Sequence, residues 1–103
     1  MAMRKVYMDH SATTPVDRSV LEKMLPFFSD KYGNPNSVHA WGREVRSAVE
    51  EARANVARLI NAEPREILFT GGGSEADNLA IKGVAEVLRD KGRHVVTSAI
   101  EHH

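Results

Sequence analysis

The segment FTGGGSEADN, residues 69–78, constrains the fold more than any other part of the chain. The apolar run over residues 66–70 predicts a buried strand, and residues 74–91 carry apolar side chains at helical spacing. Three consecutive glycines join the two elements. A second β-branched run, residues 94–98, follows the predicted helix. The order strand, helix, strand predicts a βαβ unit, with a parallel sheet and helices on its faces.

Two helices are predicted before this unit. Asp17 should cap the first helix, and Pro26 should kink or end it. After turn-forming residues 32–37, the second helix should run from about His39 to Asn61. The apolar residues of each helix share one face, which we expect to be buried. The expected fold class is therefore α/β, a βαβ unit preceded by two helices.

The composition excludes several classes of function. The chain has 103 residues, of which 42% are hydrophobic and 27% charged, as in an ordinary globular protein. Its 14 Lys and Arg balance 14 Asp and Glu without a basic patch, so we expect no nucleic-acid partner. There is no cysteine, and no apolar window approaches the roughly 20 residues that span a bilayer. We expect a cytoplasmic protein without membrane contact.

The glycine segment has the features of a phosphate-binding loop. An anion at a helix N-terminus needs unpaired backbone N–H groups and no Cβ atoms in its way. Gly71, Gly72 and Gly73 remove side chains, and Ser74 can cap the helix or offer its hydroxyl to a phosphate, with Asp77 completing a pair like a capping box. The segment has neither a Walker ending nor G-x-G-x-x-G spacing, which favours a smaller phosphorylated cofactor. A tight strand-to-helix turn without a ligand is the alternative interpretation.

The end of the second predicted strand delivers Glu101, His102 and His103 to the same edge of the sheet as the glycines. An imidazole there could stack on a flat cofactor ring or move a proton. A pair of histidines that only happens to end the chain is the alternative interpretation. Adjacent histidines in a strand point to opposite faces, so we expect no metal site.

Four segments together resemble a known family. They are YMDHSATTP (residues 7–15), GNPNSVHAWG (33–42), FTGGGSEADNLAIKG (69–83) and TSAIEHH (97–103), and they occur in the order and spacing of the N-terminal part of the cysteine desulfurases. This family consists of fold-type I enzymes that depend on pyridoxal phosphate and are related to class V aminotransferases. The resemblance covers nearly the whole chain. Gly71 and Ser74 stand where the family commonly has serine and threonine.

The resemblance implies roles for particular residues. It places Gly72, Gly73 and Ser74 at the phosphate of pyridoxal 5'-phosphate, and His102 on the cofactor ring, where it would also assist proton transfer. It implies that His10, Ala12, Thr13 and Asn34 lie near the substrate, with Asn34 and His39 toward a dimer partner. Residues 1–15 would form an entrance strand and loop, with the strand over residues 6–8. Residues 16–103 would begin the large domain.

The activity implied for a complete enzyme is removal of sulfur from L-cysteine, which gives alanine and an enzyme persulfide for iron–sulfur cluster or thiocofactor synthesis. A sulfur-acceptor protein and a homodimer are implied as partners. The family's cofactor-binding lysine and its nucleophilic cysteine would lie beyond residue 103, so we expect an incomplete domain that is inactive alone. A selenocysteine lyase, another class V relative and a noncatalytic truncated product are the alternatives.

Overall fold

A computed structural model of the chain describes residues 3–101. The chain divides into two compact units, the first ending at Pro64 and the second beginning at Arg65. The first contains helices α1 (Arg18–Met24), α2 (Pro26–Ser29) and α3 (Ala40–Leu59), and the second contains α4 (Gly73–Val87). A single 3-10 turn, Pro64–Glu66, lies between α3 and α4 in the chain. No helix within residues 3–101 combines the length and apolar character needed to cross a bilayer.

The predicted cap at Asp17 and the predicted interruption at Pro26 are both confirmed. The Asp17 carboxylate accepts the Ser19 backbone N–H at 2.8 Å and the Ser19 hydroxyl at 2.6 Å, which satisfies a donor that the first turn of α1 leaves unpaired. Helix α1 ends at Met24. Pro26 then opens α2, because its ring fixes φ and the first helical position needs no N–H. Helices α1 and α2 follow each other directly, with Leu25 between them.

Helix α3 has defined ends close to those predicted. The His39 ring nitrogen Nδ1 accepts the Gly42 N–H at 3.3 Å and caps the start of the helix. At the other end Asn61 has φ of 55°, and the Ala62 N–H donates to the Ala57 carbonyl at 2.8 Å. A left-handed residue followed by this bond is a Schellman motif. The motif explains why the helix stops where the sequence turns polar.

Helix α4 begins one residue before the predicted Ser74 and ends four residues before the predicted Lys91. The Leu88 carbonyl accepts the N–H groups of Lys91 at 2.8 Å and Gly92 at 3.1 Å. Residues 88–91 therefore form a turn in place of the last helical turn that was predicted. Gly92 follows this turn.

The predicted strands over residues 6–8, 66–70 and 94–98 are not formed within residues 3–101. Glu66 belongs to the 3-10 turn, and the remaining residues of these runs are in neither helix nor strand. A strand is held by hydrogen bonds to a neighbouring strand, and even a single pair is only marginally stable in water. The predicted βαβ unit is thus not present as a paired sheet in the described residues.

The apolar faces of α3 and α4 are largely exposed, so the prediction that they are buried is wrong for the described residues. Ala57 of α3 is 1% exposed, but Leu59 is 85% exposed and Val87 of α4 is 82% exposed. The chain has 10077 Å² of accessible surface, against roughly 5,800 Å² for a folded monomer of this mass. The physical reason is that within residues 3–101 the second unit contains no other helix to cover α4, and in the first unit α3 packs against neither α1 nor α2.

Candidate functional site

The start of α4 differs from the starts of α1 and α3 because no side chain caps it. Gly72 is the N-cap residue, and the first helical bond runs from the Ala76 N–H to the Gly72 carbonyl at 3.1 Å. Helix geometry leaves the N–H groups of residues 73–75 without intrahelical acceptors. In α1 and α3 a carboxylate and an imidazole supply such an acceptor. The positive end of α4 therefore offers donors to an acceptor that residues 3–101 do not provide.

Two side chains hold the glycine segment in place. The Thr70 hydroxyl donates to the Gly72 carbonyl at 3.2 Å, and the Glu75 carboxylate accepts the Gly71 N–H at 2.7 Å. The C=O and N–H of one trans peptide unit point in opposite directions. Fixing the Gly72 carbonyl therefore directs the Gly73 N–H away from Thr70. The peptide units before Gly71 and after Gly72 are both oriented by these bonds.

Ser74 lies at the second helical position, so the prediction that it caps α4 is wrong. Gly72 takes the cap position because the helix begins one residue earlier. The Ser74 carbonyl accepts the Asn78 side-chain amide at 2.7 Å, and its hydroxyl makes no hydrogen bond within the described residues. The capping-box pair predicted with Asp77 is also wrong, since Glu75 is the residue that reaches back.

Glu75 was missed by the sequence analysis, although the sequence contains a signal for it. In a capping box, the acidic residue at the third helical position bonds the N–H of the N-cap residue; Glu75 holds that position but bonds Gly71, one residue earlier. Glu75 stands three residues after Gly72, whereas an N-cap at Ser74 predicts a pair with Asp77 instead. Placing the N-cap at Gly72 would have identified Glu75.

Nothing in the described chain requires glycine at positions 72 and 73. A Cβ built on either residue would meet no atom within 4 Å. Neither has a positive φ, and the φ of 166° and ψ of 176° at Gly72 are extended backbone. At Gly71, by contrast, a Cβ would lie 3.1 Å from the Glu75 carboxylate. The space in front of Gly72 and Gly73 leaves the backbone open to close approach by a ligand.

The donors at the start of α4 suit an anion with several oxygens. They comprise the backbone N–H groups, the Ser74 hydroxyl and the positive end of the helix dipole. Neither Lys82 nor Lys91 belongs to this helix start. Lys82 lies about 12 Å further along α4, and Lys91 lies in the turn after the helix. Within residues 3–101, no group of three or more His, Asp or Glu side chains could hold a metal ion.

The loop that contains His10, Ala12 and Thr13 is organised by one carbonyl. The Asp9 carbonyl accepts the Tyr7 hydroxyl at 3.0 Å, the Ala12 N–H at 3.1 Å and the Thr13 N–H at 3.3 Å. The His10 ring lies edge-on to Tyr7, with 5.0 Å between the ring centroids. All five residues are exposed. The loop therefore has an ordered backbone and presents its side chains to solvent.

Asn34 shapes the turn before α3. Its side-chain oxygen accepts the Asn36 N–H at 2.9 Å, and its carbonyl accepts the Ser37 N–H at 3.0 Å. The same loop delivers His39 to the start of α3. A shallow cavity of about 380 Å³ is lined by Tyr32, Gly33, Asn34, Ser37, His39 and Trp41. The residue predicted to lie near the substrate thus also has a clear structural task.

The structure distributes the predicted site residues over both units. Gly72, Gly73 and Ser74 come together at the start of α4 in the second unit, whereas residues 10–13 and Asn34 belong to the first. His102, predicted to stack on the cofactor ring, lies outside the described residues.

A family model, described as aminotransferase class-V, matches residues 6–103. The chain belongs to the class-V aminotransferase family. It is 54% identical over 100 residues to the cysteine desulfurase IscS of Dictyoglomus turgidum, in a match that covers 97% of this chain and 25% of that relative. It is 55% identical over 98 residues to the cysteine desulfurase IscS of Neisseria meningitidis serogroup C (strain FAM18), covering 94% of this chain and 24% of the relative. The predicted resemblance to cysteine desulfurases is confirmed.

The solved structure of a NifS-like protein matches this class-V chain with a TM-score of 0.87 at 44% identity. The match covers 96% of this chain and 27% of that one, so the chain has the fold of the corresponding part of a NifS-like protein. This supports the expected fold-type I architecture. The chain spans about a quarter of the length of the curated relatives it matches.

Proposed function

We propose that this chain is the N-terminal part of a cysteine desulfurase that depends on pyridoxal phosphate. The protein encoded by the complete reading frame that contains these residues is called the full-length protein below. The proposed reaction transfers the sulfur of L-cysteine to an enzyme thiol, which leaves alanine and an enzyme persulfide. The names of the relatives support the reaction class. The structural observation that carries the proposal is the open, uncapped start of α4.

The residues at this helix start fit a cofactor phosphate. The N–H groups of Gly73 and Ser74 and the Ser74 hydroxyl would hold its oxygens, with Gly72 leaving room for close approach. This assignment is supported by the missing cap and by glycines that neither packing nor backbone conformation requires. A phosphate dianion is also favoured by the positive end of a helix dipole.

The bound cofactor supplies an electron sink for cleavage of the carbon–sulfur bond. The proposed tasks of this chain are to anchor the phosphate, to orient the ring and to assist proton movement. His102 would stack on the ring and hold or release a proton at an imidazole nitrogen. His10, Ala12 and Thr13 would lie beside the substrate, with Asn34 and His39 toward a partner subunit.

The same proposal covers the fold around the site. In the full-length protein, residues 66–70 and 94–98 would pair with other strands, which would complete the βαβ unit. Residues 1–15 would form the entrance strand and loop, and residues 16–103 the start of the large domain. The open apolar faces of α3 and α4 support this, because burying such area stabilises a fold by about 25 cal/mol per Å². A homodimer, a sulfur-acceptor protein and a cytoplasmic location complete the proposal.

The test is to sequence the reading frame past His103 and to assay the full-length protein with pyridoxal phosphate and L-cysteine. We expect alanine and, with an added thiol reductant, sulfide in equal amounts. After borohydride reduction of the loaded protein, peptide mapping should find the cofactor on a lysine outside residues 3–101. Label on Lys82 or Lys91 would contradict the proposed site.

Parallel assays distinguish the other candidates. Turnover of selenocysteine with none of cysteine would indicate a selenocysteine lyase. A stop codon directly after His103 would favour a noncatalytic product. Weaker binding of pyridoxal, which lacks the phosphate group, than of pyridoxal phosphate would support the phosphate site itself.

A further inference from the structure

We infer that Glu75 is a positioning residue for the cofactor phosphate, because it fixes the glycine segment while leaving the helix-start donors free. The inference rests on the proposed function. Glu75 does not contact the phosphate in this account. It acts through Gly71, whose N–H it holds.

The geometry separates the Glu75 acceptor from the phosphate donors. Its carboxylate accepts the Gly71 N–H at 2.7 Å, and Gly71 lies outside the helix. The N–H groups of Gly73 and Ser74 accordingly remain available. The arrangement is a shifted half of a capping box: the acidic residue at the third helical position bonds the N–H of Gly71, one residue before the N-cap, and Gly72 has no side chain to complete the box. The missing half is the acceptor that the phosphate would supply.

The length of Glu75 matters more than its charge in this arrangement. A second negative charge within a few ångströms of a phosphate dianion is unfavourable. What the segment gains from Glu75 is a hydrogen-bond acceptor that can reach back four residues. A glutamine has an acceptor of the same reach without the charge, whereas an aspartate keeps the charge but is one methylene shorter. The two substitutions therefore separate reach from charge.

The experiment uses full-length protein with Glu75→Ala, Glu75→Asp and Glu75→Gln, and measures the dissociation constants of pyridoxal phosphate and pyridoxal by equilibrium dialysis. We expect Glu75→Ala and Glu75→Asp to weaken pyridoxal phosphate binding on the order of tenfold, the usual scale for one hydrogen bond. Glu75→Gln should stay within about threefold of wild type. Pyridoxal, which has no phosphate, should bind all four proteins alike.

Glu86→Ala is the matched control. Glu86 lies on the same helix, is exposed and, among the described residues, forms an ion pair with Arg89 at 3.3 Å. It should leave both dissociation constants unchanged. Inorganic phosphate should compete with pyridoxal phosphate less effectively in Glu75→Asp than in wild type, which reports the loop without any contribution from catalysis.

Four results would overturn the inference. If Glu75→Ala bound pyridoxal phosphate as tightly as wild type, Glu75 would not position the phosphate. Tighter binding than wild type would mean that the carboxylate competes with the phosphate. Equal weakening of pyridoxal would mean that the substitution disturbs the fold in general. Glu75→Gln as weak as Glu75→Ala would mean that charge is what matters. If wild-type protein bound neither form, the proposed function itself would fail, which is a different outcome from any of these.

Discussion

The starts of α3 and α4 both contain glycine, but the glycines meet different surroundings. A Cβ on Gly42 would contact the Ser37 carbonyl and lie 2.6 Å from the Asn34 carbonyl oxygen. A Cβ on Gly33 would likewise collide with the Trp41 backbone, its carbonyl carbon being 2.6 Å away. At Gly72 and Gly73 a Cβ would meet nothing within 4 Å.

This difference separates glycines that pack a backbone from glycines that leave space for a ligand. Around α3 the chain fills the space itself, since His39 caps the helix and the Arg46 guanidinium donates to the Pro35 carbonyl at 2.7 Å. At α4 the cap is missing and the glycines face open space. The first loop is therefore complete without a ligand, whereas the second lacks a side-chain acceptor within the described residues, which the proposed phosphate would supply.

The largest expected effect on stability comes from Gly42→Ala in the full-length protein. The new methyl group would collide with two backbone carbonyls that cannot rotate away as a flexible side chain can. We expect the free energy of unfolding to fall by about 1–3 kcal/mol, the usual cost of overpacking. Urea denaturation followed by circular dichroism measures it.

Gly83→Ala is the control for that substitution. Gly83 is also a helical glycine, but a Cβ there meets nothing within 4 Å, so helix propensity should raise stability by up to about 1 kcal/mol. Equal effects of the two substitutions would show that backbone crowding at Gly42 is unimportant.

Gly72→Ala should give the opposite profile. Stability should change by no more than about 0.5 kcal/mol, because the poorer cap and the less flexible unfolded chain offset each other. Pyridoxal phosphate should bind on the order of tenfold more weakly, since the methyl group occupies the open space beside the donors. Equilibrium dialysis and urea denaturation measure the two effects. Unchanged cofactor binding would contradict the assignment of this space to a ligand.

The helices could be predicted from the sequence where the signal was local. Asp17, Pro26 and His39 act through neighbours within three residues, so their positions fixed the boundaries of α1, α2 and α3 closely. The proposed phosphate loop was also visible as three glycines before an amphipathic helix. Its donor geometry was not, because the position of the N-cap depends on backbone angles that Gly72 and Ser74 could both adopt.

Strand pairing and the burial of helix faces could not be predicted from local signals in the sequence. Residues 94–98 have the composition of a strand, but pairing depends on a neighbouring strand that need not be near in the sequence. The apolar stripes of α3 and α4 indicate which face of each helix would be buried, but they do not indicate which residues would cover it. Leu59 and Val87 illustrate this, since both fit the helical pattern and both are exposed in the described residues.

The smallest expected effect concerns the capped start of α1, which provides the reference for the open start of α4. The Ser19 hydroxyl, and next its backbone N–H, hold the pKa of Asp17 below its ordinary value. A lowered pKa means that the cap stabilises α1 fully above the ordinary carboxylate range, and that this is lost as pH falls through the folded pKa. In ¹⁵N-serine-labelled full-length protein, the Ser19 amide should therefore titrate with a midpoint below that of an unperturbed aspartate. Asp17→Asn should abolish that titration. A midpoint above that of an unperturbed aspartate would contradict the cap. At neutral pH, added pyridoxal phosphate should shift the Ser74 amide and leave the Ser19 amide in place, because the start of α4, unlike that of α1, has no side-chain acceptor of its own.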